Sequence, residues 1–125
     1  MRRILSIAIL IILVTVPLAA KPARNQGRKM IGIASYYGRE HQGRRMANGH
    51  RFDEHRLTGA SHSLPLGSRV RVTNLRNKQS VVVTITDRMP RRNRRIIDLS
   101  AAAARVLGLI RQGTGRVSVE TLHGQ

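Results

Sequence analysis

Residues 80–90 read SVVVTITDRMP, a β-branched run that ends in a carboxylate at Asp87. Residues 69–73 before it read RVRVT and alternate as a half-buried strand does. The polar hexapeptide NLRNKQ at 74–79 is a suitable turn between the two runs. Together these segments predict a β-hairpin with its return strand over 80–86, so that Asp87 stands where a strand ends.

Other short elements are predicted on both sides of this hairpin. Residues 31–36 (IGIASY) and 116–122 (RVSVETL) have the composition of strands. Four alanines that follow Asp98-Leu99-Ser100 predict a short helix. Either Asp98 or Ser100 is a suitable cap for its start, and Gly108 is suited to end it in a left-handed conformation. Several short strands with one or two helical turns indicate a small β-barrel.

The polar segment 38–63 is rich in Gly, Arg and His and contains a turn signal at Ala47-Asn48-Gly49. It is long for a plain connection, so it either carries function or contains elements that the pattern does not reveal.

The first twenty residues have the plan of a secretory signal peptide: a basic start, an apolar run over 4–18, and small residues up to Ala20. We therefore expect a signal peptide over 1–20, a basic linker over 21–29 and one domain over 30–125. A retained anchor helix is the alternative, and either way the domain would be exported to the periplasm or cell envelope. The chain has no cysteine, so neither disulfides nor a cysteine-linked lipid are expected.

The formal net charge is +17, which favours polyanionic partners such as nucleic acid, acidic lipid or an anionic wall polymer. Export argues against nucleic acid, so peripheral contact with anionic envelope polymers is expected; a purely solubilising role for the charge is the alternative. The histidines at 41, 50, 55 and 62 fit no standard zinc spacing, and we expect no metal or other cofactor. The domain is expected to be a monomer.

Several motifs in a fixed order resemble the rare lipoprotein A family. They are GIASYYG at 32–38, ANG at 47–49, FD at 52–53, LT at 57–58, LPLGSRVRVTNL at 64–75, TDRMP at 86–90 and RIIDLS at 95–100. The resemblance runs from about residue 31 to 122. It implies a mostly β fold, the six-stranded double-psi β-barrel with one or two short helices that barwin and expansins share.

The same resemblance implies an endolytic lytic transglycosylase. Such an enzyme cleaves glycan strands of peptidoglycan, here those without stem peptides, between N-acetylmuramic acid (MurNAc) and N-acetylglucosamine (GlcNAc). An acid protonates the leaving oxygen, and the muramoyl C6 hydroxyl closes on C1 to give a 1,6-anhydro ring. One carboxyl group can donate and then accept the proton.

Site residues follow from the resemblance. Asp87 is the expected acid/base, unless Arg88 or main-chain amides merely hold it in a turn. Asp98 is either a second catalytic carboxylate or the helix cap. His50 replaces an acidic residue of the family and is a candidate proton donor or a loop histidine. The expected substrate-binding residues are Tyr36, Tyr37, Asn48, Ser61, His62 and Arg88.

Two other functions remain open at this stage. A non-catalytic, expansin-like module that binds wall glycan is favoured by two departures from the family pattern. His50 stands at the family's acidic position, and Ser61 stands at the position of the family's histidine, which comes one place later here as His62. A basic, membrane-active defence protein of the barwin type would explain the charge but not the order of the motifs.

Overall fold

The computed structural model describes residues 6–15, 28–90 and 94–122. Much of the predicted signal peptide and linker, residues 1–5 and 16–27, lies outside these ranges. Residues 6–15 form neither helix nor strand. Among the described residues, no helix combines the length and the apolar character needed to cross a membrane.

The described residues form a closed barrel of six strands: β1 (Lys29–Tyr36), β2 (Thr58–Ser61), β3 (Arg69–Asn74), β4 (Ser80–Arg88), β5 (Ile97–Leu99) and β6 (Thr114–Leu122). Neighbouring strands follow the order β1-β5-β2-β4-β3-β6 around the barrel. A 3₁₀ turn, Arg39–His41, follows β1, and the helix α1, Ala101–Val106, follows β5. The mostly β, six-stranded barrel with a short helix confirms the predicted fold class.

The predicted hairpin is present: β3 and β4 pair antiparallel, with Arg69 opposite Thr84 and Thr73 opposite Ser80. Strand β6 pairs antiparallel with both β1 and β3 and so closes the barrel. The remaining contacts include two parallel pairs, β1 with β5 and β2 with β4.

Alternating aliphatic side chains fill the barrel. In β4 the residues Val81, Val83 and Ile85 are at most 8% exposed, which is the inward face that the period-two pattern predicts. Burial of a Val, Leu or Ile side chain stabilises a fold by about 1.5–3 kcal/mol. The same core contains Val70, Val72, Ile97, Leu99, Val117 and Val119, together with Ala103, Ala104, Leu107 and Leu109 from α1 and the turn after it.

Helix α1 begins at its serine and not at its aspartate. The Ser100 hydroxyl accepts the main-chain amide of Ala103, whereas Asp98 lies one residue inside β5. The cap interpretation of Asp98 is therefore wrong, because the apolar run before it continues as a strand through Leu99. Gly108 has φ +71°, the left-handed conformation expected after a helix.

Two strands were hidden from sequence reasoning. Strand β2 lies within the polar segment 38–63, and β5 has only three residues. Each is too short to show a period, and β5 is buried throughout, so it does not alternate at all.

Candidate active site

Both predicted catalytic aspartates line one open cavity of about 250 Å³ at the end of the barrel, which we call the Asp87 cavity. The ends of β1 and β4, strand β5 and the loop after the 3₁₀ turn form its walls. Its lining residues are Tyr37, His41, Arg44, Arg45, Met46, Phe52, Asp87, Arg88, Pro90 and Asp98.

A β-bulge in β4 aims Asp87 into this cavity. Gly59 of β2 pairs with Ile85, but the next residue, Ala60, pairs with Asp87, so Thr86 is the extra residue. Without that insertion the alternation of β4 would turn Asp87 to the same side as Ile85, into the core. Bulges are a common means of re-aiming a side chain beside a functional site.

Main-chain amides fix the Asp87 carboxylate. Its Oδ1 accepts the amides of Ala47 at 2.9 Å and of Arg88 at 2.8 Å. Its Oδ2 lies 3.4 Å from the Tyr37 hydroxyl, which donates to it. One oxygen is thus held firmly, and the other is held by a longer contact at the cavity.

The Arg88 guanidinium points away from Asp87. Its Nη1 donates to the carbonyl oxygen of Leu64 at 2.5 Å and lies 3.4 Å from that of Ser61. Across residues 28–90 and 94–122, no salt bridge joins Arg88 to Asp87. Asp87 is therefore held by amides, as one of the sequence alternatives has it, but it lies in an open cavity and not in a buried ion pair.

Side chains, in contrast, hold Asp98. The Ser35 hydroxyl donates to Asp98 Oδ1, and Arg95 Nη1 donates to Ser35 Oγ at 2.7 Å. Arg95 Nε also lies 4.0 Å from Asp98 Oδ1. Asp98 is only 9% exposed, so a serine and a guanidinium replace much of the water that this carboxylate loses.

Tyr37 stands near both carboxylates. Burial raises its pKa above the ordinary value of 10.0, and the charges of Asp87 and Asp98 raise it further. Its ring contacts Phe52 edge-on at 5.1 Å between centroids and His41 at 4.9 Å. Tyr37 therefore remains a neutral hydrogen-bond donor through the physiological pH range.

Two other predicted residues, His50 and Asn48, lie in a neighbouring cavity of about 330 Å³, which we call the His50 cavity. Asn48 Oδ1 accepts the amide of His50 at 3.0 Å, a turn that orders this loop. The residues that line the His50 cavity are Met46, Asn48, His50, Arg51, Asp53, Arg56, Thr58 and Thr86. His50 is thus near the Asp87 cavity without lining it.

Tyr36 lines neither the Asp87 cavity nor the His50 cavity. It lines a third cavity of about 280 Å³, the Tyr36 cavity, and its hydroxyl donates to the carbonyl oxygen of Ile110 at 3.1 Å. The lining residues there are Tyr36, Tyr37, Gly38, Arg39, Glu54, His55, Ala101, Arg105 and Ile110.

The last two predicted substrate-binding residues, Ser61 and His62, line none of these three cavities. Ser61 is 1% exposed, and its Oγ accepts the amides of Ser63 and Leu64. His62 Nε2 lies 3.0 Å from the carbonyl oxygen of Arg95, which can only accept. In the described ranges, no group of three or more His, Asp or Glu side chains is arranged to hold a metal ion.

Sequence reasoning missed Ser35 and Phe52 as site residues. Ser35 precedes Tyr37 by two positions near the end of β1, so strand periodicity places both on one side, and that signal was present in the sequence. Phe52 belongs to a loop without a period, where no comparable signal exists.

Comparison with known proteins gives a consistent result. The family profile described as lytic transglycolase matches residues 29–119. The endolytic peptidoglycan transglycosylase RlpA of Pseudomonas aeruginosa (strain UCBPP-PA14) is 50% identical over 92 residues, 74% of this chain and 27% of its own length. A Synechocystis protein (strain ATCC 27184), whose RlpA name is qualified as probable, is 56% identical over 89 residues, 71% of this chain and 28% of its own length.

A solved structure agrees in fold. The apo expansin of Clavibacter michiganensis has a TM-score of 0.62 and 26% identity, over 78% of this chain and 52% of its own. The chain spans between a quarter and a third of the length of the two curated relatives. Since the profile covers the whole barrel from β1 into β6, this chain belongs to the lytic transglycolase family.

Proposed function

We propose that this domain cleaves peptidoglycan glycan strands, those without stem peptides, between MurNAc and GlcNAc by the lytic transglycosylase route. The observation that carries the proposal is the pairing of Asp87 and Asp98 in one open cavity. The names of the relatives supply the substrate class.

Asp87 acts as the acid and then as the base. Its Oδ1 is committed to two main-chain amides, so Oδ2 is the oxygen that we assign to proton transfer. In the first step Oδ2 gives its proton to the glycosidic oxygen, and the C1–O bond to the leaving GlcNAc breaks. In the second, the muramoyl C6 hydroxyl bonds to C1 and returns its proton to Oδ2. No water is consumed, and a single carboxyl group suffices.

Asp98 stabilises the positive charge that develops at the sugar ring between these steps. A carboxylate that is only 9% exposed stabilises such charge more strongly than one in bulk solvent. The Ser35 hydroxyl and the Arg95 guanidinium orient Asp98 for this role. Tyr37 orients Asp87 Oδ2 in the same way.

The remaining predicted residues have supporting roles in this proposal. Asn48 and His50 shape the His50 cavity next to the reaction centre, and Tyr36 shapes the Tyr36 cavity. Ser61, His62 and Arg88 fix the loop and strand that form the walls. The excess of arginine promotes peripheral contact with anionic envelope polymers, and the exported domain acts as a monomer.

Mass spectrometry of the products tests the proposal. Sacculi stripped of stem peptides are incubated with the protein, and soluble fragments ending in 1,6-anhydro-MurNAc are expected. The variant Asp87→Asn should release these fragments about 10³-fold more slowly. Glu120→Gln, a matched loss of one charge on β6 away from the cavity, should release them at the parental rate. Absence of anhydro products from the parent protein would overturn the proposal.

A second candidate, a non-catalytic and expansin-like glycan-binding module, is favoured by one observation. His50 occupies the family's acidic position, and it lies outside the Asp87 cavity. Under this alternative the parent protein binds sacculi and releases nothing, and Asp87→Asn leaves the bound fraction unchanged. Restoration of an acid by His50→Glu would then be the variant to assay for gained activity.

A further inference from the structure

Three cavities adjoin one another through shared lining residues. The Asp87 cavity shares Tyr37 with the Tyr36 cavity and Met46 with the His50 cavity. Three consecutive residues then contribute one side chain to each: Phe52 to the Asp87 cavity, Asp53 to the His50 cavity and Glu54 to the Tyr36 cavity. This segment is thus a common wall of three adjoining cavities.

The Tyr36 cavity combines apolar and charged walls. Tyr36, Tyr37 and Ile110 supply apolar surface, and Ile110 is 38% exposed. Arg39 and Arg105 supply fixed positive charge and Glu54 a negative one. Apolar and aromatic surface with a few polar groups is typical of sites that bind small organic ligands.

Glu54 is held in place by its main chain. Its amide donates to Gln42 Oε1 at 2.8 Å, and its carbonyl oxygen accepts the amide of Ala102 in α1 at 3.0 Å. Its side chain is 21% exposed, and its Oε1 lies 3.7 Å from Nε2 of His55, an imidazole that is itself 76% exposed.

We propose that the Tyr36 cavity is a second sugar subsite, which binds the N-acetylhexosamine unit next to the one in the Asp87 cavity. This inference rests on the proposed function, because it takes the same glycan as ligand. Glu54 accepts hydrogen bonds from sugar hydroxyls, and Arg105 donates to carbonyl or carboxylate oxygens of the strand. A free polyanion is disfavoured by Glu54, and a cation by the two arginines.

Binding to an uncleaved glycan tests the subsite separately from catalysis. Peptide-free glycan fragments of at least four sugars are titrated calorimetrically into Asp87→Asn, in which cleavage is blocked. Addition of Glu54→Gln should weaken binding about tenfold, because a hydrogen bond to a charged group contributes more than a neutral one. The control Glu120→Gln, with the same change of charge, should leave the affinity at that of Asp87→Asn.

The outcomes separate the two proposals. The subsite proposal is overturned if the added Glu54→Gln leaves the affinity for glycan at that of Asp87→Asn, or if Glu120→Gln lowers the affinity equally. Either result overturns it even if the parent protein makes anhydro products. A loss confined to Glu54→Gln supports the subsite even if no anhydro product is ever found. In a cleaving protein, Glu54→Gln should raise KM for long fragments with kcat unchanged, and circular dichroism should confirm that the variant is folded.

Discussion

Asp87 and Asp98 line the same cavity but are held by different parts of the chain. Main-chain amides of Ala47 and Arg88 hold Asp87 at a bulge near the end of β4. Asp98 lies within β5 and is held by the side chains of Ser35 and Arg95. The first arrangement depends mainly on backbone geometry, with one longer contact from Tyr37, whereas the second depends on two further side chains.

This difference suits a division of roles. A proton donor needs one oxygen fixed and the other accessible, and two amides on Oδ1 provide that arrangement. A carboxylate that stays charged needs partners that compensate its burial, and a serine with a guanidinium provides them. If the two aspartates differ in function as they do in their contacts, substitutions of these residues and of their partners should have unequal effects.

The largest effect is expected for Asp87→Asn. Since an amide cannot donate a proton as an acid does, the rate of anhydro-product formation should fall about 10³-fold, within the range of general acid catalysis. Because the amides of Ala47 and Arg88 still find an oxygen acceptor, the thermal midpoint should stay near that of the parent. A large loss of stability would mean that Asp87 mainly holds the loop.

Asp98→Asn should slow the reaction less, about 10²-fold, because it removes charge stabilisation and not the proton donor. Initial rates at saturating substrate measure the effect on kcat. If both asparagine variants lose the same factor, the division of roles is wrong. If Asp98→Asn changes stability and leaves the rate untouched, Asp98 is structural.

Arg95→Gln should lower kcat about tenfold, because Ser35 and Asp98 lose a charge-assisted partner. Arg95→Lys keeps the positive charge and should restore part of the rate. The exposed neighbour Arg94 gives the matched control, and Arg94→Gln should behave as the parent. The pH dependence of kcat is the deciding measurement, since a merely structural role of Arg95 would lower stability without changing the profile.

The smallest effect concerns Tyr37 and needs no assay of activity. In Tyr36→Phe the remaining tyrosine is Tyr37, and its absorbance near 295 nm should show ionisation well above pH 10.0. Adding Asp87→Asn removes one charge that raises this pKa, so the titration should move to lower pH. An unshifted curve would show that the Tyr37 hydroxyl and Asp87 are not in contact.

The sign of the linked stability follows from the same shift. Because folding raises the pKa of Tyr37, the neutral hydroxyl contributes fully to the free energy of unfolding below pH 10.0. That contribution is lost as the pH rises through the pKa of the folded state. Comparison of Tyr36→Phe with the Tyr36→Phe/Tyr37→Phe double variant in urea at pH 8 and above pH 10 measures it.

The barrel was largely predictable because its longer strands alternate. Alternation predicts the strand at 69–73 and β-branched composition the strand at 80–86, and the structure confirms the hairpin. The three-residue strand β5 was not predictable, because a strand buried throughout has no alternation to read. For the same reason, the sequence leaves Asp98 open to interpretation as a helix cap.

The site was predictable only in part. Asp87 and Asp98 stood out as rare acids at the ends of apolar runs, but nothing in the sequence indicates the extra residue Thr86 that aims Asp87 outward. His50 was expected beside the catalytic group, and its place in a neighbouring cavity depends on the course of an irregular loop. Contacts between residues far apart in sequence, such as Ser35 with Asp98, need the parallel pairing of β1 and β5.

The position of β6 has a consequence for how the chain is made. This last strand pairs along Lys29–Ser35 of β1 on one side and along β3 on the other. A nascent chain that has not yet released residue 120 therefore has two open strand edges and no closed barrel. Folding must await synthesis of nearly the entire domain, so the growing polypeptide stays in an unfolded state that a chaperone can still hold.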